Sequence, residues 1–316
     1  MGSLELPERF SIVNRRLLAF VLCACCIGCG QQIPAPQDKF ARAMVDYRQH
    51  LGSQLHWSQV IDALGLPDTV EQGYRLQKRY VDLRASDEKR AGYKVALGSP
   101  SSQALLGASE PILGVLFKRD LKPSGARINR QLGIVLAVEA DLLVTVGSEN
   151  INSARTVEDV AQSIESLHAY IELPDLPFPF ASDVAPRFTA SNAGAHLGIV
   201  GSTVKASAST EFINQLANMQ VVLSANSPGE QSKQLASAAG DSLMLHPYNA
   251  VLFLLRKIAN DGGTLQKGDV ISLGAYSKPT PIKMLMSEKE LAVSIRYLGL
   301  LDHKTGKTAS ATVYFD

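Results

Sequence analysis

The chain has 316 residues, of which 46% are hydrophobic and 19% charged, and a formal net charge of +1. This composition indicates a folded protein with a sizeable core and excludes a chain that is disordered throughout. The near-neutral charge also argues against nucleic acid as a partner, because phosphate binding normally needs a basic surface.

The beginning of the chain has the pattern of an export signal. Arg15 and Arg16 precede an apolar run, Leu17–Ile27, which is too short to span a bilayer stably. Gly28 and Cys29 follow this run and resemble the lipobox of bacterial lipoproteins, in which the cysteine is lipidated and becomes the first mature residue. The prediction is therefore an exported lipoprotein of the periplasm or cell surface, anchored to a membrane through Cys29. An ordinary secretion signal and a packed apolar helix are the alternatives.

Four parts are predicted along the chain: a signal peptide at 1–28, a tether at 29–38, a helical cap at 39–91 and a β-rich body at 92–316. Cleavage before Cys29 would leave the mature chain a single cysteine, which carries lipid, because all four cysteines lie near the start of the sequence. A disulfide, a thiolate nucleophile and a cysteine-based metal site are then excluded.

Apolar residues at helical spacing predict helices over Lys39–Leu64 and Thr69–Arg84, which would form the cap. A short helix is expected at Ser101–Leu106. A cap-like start at Thr156 predicts a helix that reaches about Leu167. Pro247–Asn260 is predicted to be a helix with proline in its first turn.

Most of the remaining apolar runs are short and rich in β-branched residues, which predicts strands. These runs are Tyr93–Leu97, Pro111–Phe117, Gln131–Val138, Leu142–Val146, His168–Leu173, His196–Val200, Met219–Ala225, Val270–Leu273, Glu290–Tyr297 and Thr308–Phe315. The proline-rich stretch from Pro174 to Pro186 is predicted to be a loop. Because strands outnumber helices and rarely alternate with them, we expect an α+β fold and not a doubly wound sheet.

Three segments resemble the 2-keto-4-pentenoate hydratases, in the order and at the spacing of that family. They are Gly92–Pro100 with the following Gly114–Phe117, then His246–Ala250, and then Leu265–Ile271. The family belongs to the fumarylacetoacetate hydrolase superfamily, so the resemblance implies a mixed β-sandwich roll behind the helical cap. Its hydratases add water to dienol or enol forms of small 2-keto acids, using a divalent metal held by carboxylates.

The expected metal site is where the chain departs from this family. The family carries a Glu-x-Glu pair after an arginine-isoleucine step, which matches Arg127 and Ile128 here. The next positions are Asn129 and Gln131, which alternation along a strand would place on one face. Glu172 matches the third glutamate of the family and is retained.

Amide side chains bring no full negative charge, so Mg²⁺ or Mn²⁺ is expected to bind weakly at Glu172 or to be absent. Glu139 and Asp141 are the nearest alternative acids along the segment. A continuous strand would put Glu139 roughly 26 Å from Gln131, so the sequence reasoning sets both acids aside.

The resemblance also suggests roles for other residues. Lys94 matches a lysine close to the family's substrate and is expected to hold the carboxylate of the 2-keto acid. Glu172 would relay protons, and His246 could assist. Asn192 is expected to join Asn129 and Gln131 in binding substrate.

Four of these residues also have a simpler structural interpretation. Lys94 could be an edge-strand charge that faces water, and His246 could cap the helix that follows it. Asn129 and Gln131 could form an exposed polar face of a strand.

Two functions therefore remain open from the sequence. The first is a hydratase-like protein that binds, and hydrates or decarboxylates, a small enolisable 2-keto acid with a degraded metal site. The second is a non-catalytic lipoprotein that acts as a binding or interaction module. The GDSL esterase motif at 240–243 is interpreted as chance, because it lies late in the chain and only Asp302 and His303 follow it. The sequence leaves homo-oligomerisation open.

Overall fold

The computed structural model describes residues 36–49, 67–133, 135–175, 181–285 and 290–316. The predicted signal peptide, the lipidation site Cys29 and most of the tether lie outside these described residues. Within them, no helix combines the length and the apolar character needed to cross a membrane.

Two helices, α1 (Pro36–Gln49) and α2 (Val70–Ala85), pack together ahead of the body. The side chain of Thr69 caps α2 by accepting a hydrogen bond from the backbone N–H of Gln72. Their shared apolar cluster includes Phe40 and Met44 of α1. The predicted helix over 39–64 is described only as far as the end of α1.

The first sheet supplies one wall of the body, in the strand order β2-β1-β10-β5-β6-β7-β3, with β11 paired to β5. Its strands are β1 (Arg90–Ala96), β2 (Ile112–Phe117), β3 (Leu121–Pro123), β5 (Ala137–Val146), β6 (Ile164–Leu173), β7 (Leu197–Lys205), β10 (Val270–Ser272) and β11 (Thr280–Pro281). The pairing mixes parallel and antiparallel contacts, as β1 is parallel to β10 and antiparallel to β2.

The second sheet has the order β4-β13-β12-β8-β9. Its strands are β4 (Arg127–Ile128), β8 (Gln220–Asn226), β9 (Lys233–Ala239), β12 (Leu291–Leu301) and β13 (Thr308–Phe315). The main apolar core lies between the sheets and takes residues from both, such as Val144 of β5 and Val293 of β12. The other helices are α3 (Pro100–Leu106), α4 (Val157–Ser163), α5 (Ala185–Ala190), α6 (Thr210–Asn218) and α7 (Tyr248–Asn260).

Predicted boundaries at strands β5 and β6 are wrong, and β7 and β12 extend further than predicted, to Lys205 and Leu301. The helix that begins after Thr156 ends at Ser163, because Ile164 already pairs with Val146 of β5. β5 is one continuous strand from Ala137 to Val146 and not two separate runs. Neighbours on both sides hold its backbone, so the acidic residues in its middle do not interrupt it.

Side chains cover the outer edge of β2, the first strand of the first sheet. The N–H of Leu113 donates to the hydroxyl of Tyr74 at 2.9 Å, and its carbonyl accepts from Nε2 of Gln77 at 2.7 Å. The carboxamide of Asn192 bonds both backbone groups of Val115, at 2.8 and 2.9 Å. Four backbone groups along this edge are therefore satisfied without a neighbouring strand.

Candidate functional site

Three acidic side chains share one face of the first sheet. Glu139 and Asp141 are two positions apart on β5, so they project to the same side. Glu172 of β6 lies directly opposite Glu139 in the antiparallel pair. The intervening Ala140 projects into the core between the sheets. We call Glu139, Asp141 and Glu172 the carboxylate cluster.

Lys94 of β1 belongs to the same site. Its ammonium group forms an ion pair with the carboxylate of Glu172 and donates to the carbonyl oxygen of Ala193 at 3.0 Å. Lys94 and Glu172 are each only 2% exposed. Gly114 of β2 lies opposite Lys94, and a Cβ at Gly114 would meet Cγ of Lys94 at 2.8 Å. Glycine at that position leaves space for the lysine stem.

Asp141 is held by donors from the strand next to β5. The hydroxyl of Ser272 donates to its Oδ2, and the backbone N–H of Gly274 donates to its Oδ1 at 3.0 Å. Asp141 is completely buried. These bonds fix the direction of the carboxylate on the sheet face.

The charges of this site do not balance within the described residues. Burial, and then repulsion from Glu172, raises the pKa of Glu139 to about 8 and the pKa of Asp141 to about 7. Lys94 opposes the rise at both acids but does not cancel it. The site therefore has an excess of carboxylates over cations, which is the donor set that a hard divalent cation prefers.

The donor set fits such a cation by its chemistry. Across the part of the chain that the structure describes, no three acid, histidine or cysteine side chains are gathered closely enough to ligate one ion as they stand. Lys94 holds Glu172 and Ser272 holds Asp141 in the present arrangement.

The predicted strand geometry of Asn129 and Gln131 is wrong. β4 is only two residues long and pairs with β13 of the second sheet, and the chain turns directly after it. Both side chains are exposed, and the N–H of Gln131 donates to Oδ1 of Asn129 at 2.8 Å within this turn. No continuous strand joins Gln131 to Glu139, since β4 ends at Ile128 and β5 begins at Ala137, so the separation expected for an extended strand does not apply.

Asn192 and His246 lie outside the carboxylate cluster, and their side chains already have structural partners. Asn192 is fully buried, and its carboxamide forms hydrogen bonds with the backbone of Val115 at the edge of β2. Nδ1 of His246 accepts from the N–H of Tyr248, so its Nε2 carries the proton and donates to the carbonyl of Ile213 at 3.1 Å. Burial lowers the pKa of His246. These contacts fit the capping role of His246, and its part in catalysis stays a prediction.

The GDSL segment forms no catalytic pair. The hydroxyl of Ser242 donates to the carbonyl of Ala239 at 2.6 Å, whereas Nδ1 of His303 contacts the carbonyl of Thr203 at 2.8 Å. The sequence interpretation of this motif as chance agrees with these contacts.

The residues that sequence reasoning missed are Glu139 and Asp141. Their signal was present as an acid-x-acid spacing inside an apolar, β-branched run. Strand alternation puts such a pair on one face, and charge inside an apolar strand is a reason to suspect a site.

No family model matches the chain. A curated relative, the TodF product hydratase of Pseudomonas putida F1, is 28% identical over 191 residues, which cover 60% of this chain and 68% of that protein. The 2-oxo-hept-4-ene-1,7-dioate hydratase of Escherichia coli is 26% identical over 226 residues, covering 68% and 80% of the two chains. Further similar proteins are named 2-keto-4-pentenoate hydratase, at 25% identity for one from Burkholderia vietnamiensis that covers 66% of this chain and 77% of the relative.

A solved structure has a similar fold. The 4-oxalocrotonate decarboxylase from Pseudomonas putida G7, complexed with calcium and acetate, matches with a TM-score of 0.68 at 21% identity. The match covers 89% of this chain and 97% of that one. The predicted α+β fold of the fumarylacetoacetate hydrolase type is confirmed.

Proposed function

We propose that this protein is a hydratase-type lyase that adds water to the enol or dienol form of a small 2-keto acid. The observation that carries the proposal is the carboxylate cluster with Lys94 on one face of the first sheet. The similarity to proteins named as hydratases of such acids supports the same reaction class.

Glu139, Asp141 and Glu172 are the residues that would hold a divalent cation. Their oxygen ligands suit Mg²⁺ or Mn²⁺, and a decarboxylase of the same fold was solved with calcium and also with magnesium. When bound, the cation would act as a Lewis acid toward the keto and carboxylate oxygens of the substrate. The premise of a degraded site was the pair of amides at Asn129 and Gln131, and their exposed turn gives that premise no support.

Lys94 would bind the substrate carboxylate with its ammonium group. Its stem passes over Gly114, and the carbonyl of Ala193 fixes the position of Nζ. Glu172 forms a buried ion pair with this ammonium group. The pair can then hold the proton that hydration moves to carbon, while the apolar residues around it exclude bulk water.

The proposal predicts that Glu139→Gln and Asp141→Asn each abolish tight binding of Mg²⁺ or Mn²⁺. A Lewis acid contributes several kcal/mol to catalysis, so turnover of 2-hydroxypenta-2,4-dienoate should fall by about 100-fold or more. Calorimetry with the purified protein measures the first effect, and an absorbance assay of the dienoate measures the second.

Asn129→Ala combined with Gln131→Ala is the matched control, since both side chains lie in the exposed turn. This double variant should keep metal affinity and turnover within about twofold of the parent. No metal binding and no dienoate turnover in the parent protein would favour the rival, a non-catalytic binding module.

Export and membrane anchoring through Cys29 are a separate proposal, supported only by the sequence pattern before that residue. Cys29→Ala should move the protein from the membrane fraction to the soluble fraction. Unchanged fractionation of that variant would rule the lipid anchor out.

A further inference from the structure

A second polar group of residues lies between α1 and the start of β7. A guanidinium N–H of Arg48 contacts Nδ1 of His196, across 148 positions of sequence. His196 is 5% exposed. Nε of Arg48 and Nε2 of His196 are both buried and have no hydrogen-bond partner among the described residues.

The neighbouring charges do not neutralise Arg48. Arg84 ion-pairs with Glu88 at 2.7 Å and with Asp120 at 2.8 Å, so it takes up both nearby carboxylates. Arg48 forms no ion pair within the described ranges, although Tyr80 and Asp120 lie near enough to raise its pKa against the effect of burial. A positive charge that is partly withdrawn from water without a carboxylate partner is costly.

The contact between Arg48 and His196 settles the tautomer of the histidine. A guanidinium has only donors, so Nδ1 of His196 must accept. Burial and the charge of Arg48 lower the pKa of His196 well below its ordinary value, so the ring is neutral and its proton is on Nε2. Two buried N–H groups, Nε–H of Arg48 and Nε2–H of His196, are therefore left to donate to a ligand.

This pair lies beside the carboxylate cluster. Gly198 of β7 is directly opposite Glu172. His196 directly precedes this strand and lies three positions after Ala193, whose carbonyl accepts from Lys94. The ring of Tyr170 lies against Gly198 and is 1% exposed. Burial, and then the charges of Glu172, Asp141 and Asp120, raises the pKa of the Tyr170 hydroxyl.

We propose that Arg48 and His196 form a subsite for a second carboxylate, at the end of the substrate opposite its 2-keto acid group. A carboxylate would neutralise Arg48 and accept from both unpartnered N–H groups, which makes charge-assisted hydrogen bonds. The inference rests on the proposed function, because Lys94 and the carboxylate cluster would take the 2-keto acid end. The preferred substrate class is then the dicarboxylic 2-keto acids.

A purely structural role is the competing explanation, since Arg48 also joins α1 to the body. Arg79 of α2 offers a matched control, because it joins the same helix through Asp38 and is exposed. Loss of Arg79 loosens the attachment of α1 without touching the proposed subsite.

The test compares two unreactive ligands of equal length, 2-oxoheptanedioate and 2-oxoheptanoate, by calorimetry on the full-length protein loaded with Mg²⁺. The parent should bind the dioate about tenfold or more tightly than the monoacid. In Arg48→Gln this ratio should fall to about one, while Arg48→Lys should keep part of it because the charge remains. Arg79→Gln should keep the whole ratio.

Equal affinities in the parent, or no binding of either ligand, would overturn the subsite. An equal loss of both affinities in Arg48→Gln, or loss of the ratio in Arg79→Gln, would show that attachment of α1 is the real role and would overturn it too. Turnover of 2-hydroxypenta-2,4-dienoate, which has one carboxylate, is measured separately. Turnover without a preference for the dioate would contradict only the proposed subsite. A preference for the dioate without turnover would contradict only the proposed hydratase activity.

Discussion

The outward faces of the two sheets differ in the solvent exposure of their charged side chains. Along β12 of the second sheet, Val293 and Ile295 are buried, whereas Arg296 faces solvent. On the first sheet, the face opposite the core is itself covered, and Asp141 and Glu172 are buried there. Charges on a solvated face cost little, but charges under a cover need partners. Burial without full compensation therefore distinguishes a site from a surface.

The sharpest way to break this contrast is to remove one charge from each face. Lys94→Ala leaves Glu172 buried without its cation, and loss of one partner of a buried pair typically costs about 3–5 kcal/mol. We expect the free energy of unfolding to fall by that amount, as measured by urea denaturation in the presence of a chelator.

Arg127→Ala is the control on the second sheet, where Arg127 pairs with Glu290 and with Asp316 at the surface. Its effect should be much smaller than that of Lys94→Ala, because water screens exposed pairs. Comparable losses in the two variants would mean that the two faces do not differ as described.

A pH titration sharpens the same contrast. The raised pKa of Glu139, about 8, means that the folded protein keeps a proton that the unfolded chain has already released. Stability should therefore fall as pH rises from about 7 to about 8, by roughly 1 kcal/mol for this group. Urea denaturation of the metal-free protein at each pH gives the free energy of unfolding, and its change with pH is the slope to be measured.

Glu139→Gln removes the larger contribution and should reduce this slope, leaving the smaller contribution of Asp141, whose pKa is about 7. Histidines with lowered pKa contribute only below their ordinary pKa of about 6.5, so they do not interfere in this window. An equal slope in the parent and in the variant would show that Glu139 is ionised in the folded protein at neutral pH.

The last prediction concerns His246, which lies in neither outward face. His246→Asn weakens bonds to Ile213 and Tyr248, so we expect a stability loss of about 1–2 kcal/mol. Turnover of the dienoate should stay within about twofold, since these contacts are structural. A large fall in turnover with unchanged stability would instead show that His246 takes part in the reaction.

Local patterns predicted the fold class well, because strand and helix signals depend on neighbouring residues. The capped start at Thr156 and the helix near Pro247 are present in the structure. Lys94 and Glu172, predicted separately, are brought together as an ion pair. These residues stand in segments whose resemblance to the hydratases was visible in the sequence.

The rest of the site depends on the register in which the strands pair, and local sequence patterns do not determine that register. Glu139 belongs to the carboxylate cluster only because the pairing of β5 with β6 places it opposite Glu172. The contact of Arg48 with His196 joins distant parts of the chain and carries no local signal at all. The error at Asn129 came from continuing a strand through a segment that turns.

The covered edge of β2 also affects how the protein associates with other chains. An apolar strand with open N–H and C=O groups is a template on which a strand of another molecule can grow. Tyr74, Gln77 and Asn192 close that template at Leu113 and Val115. We therefore expect these hydrogen bonds to reduce aggregation through β2 at high protein concentration.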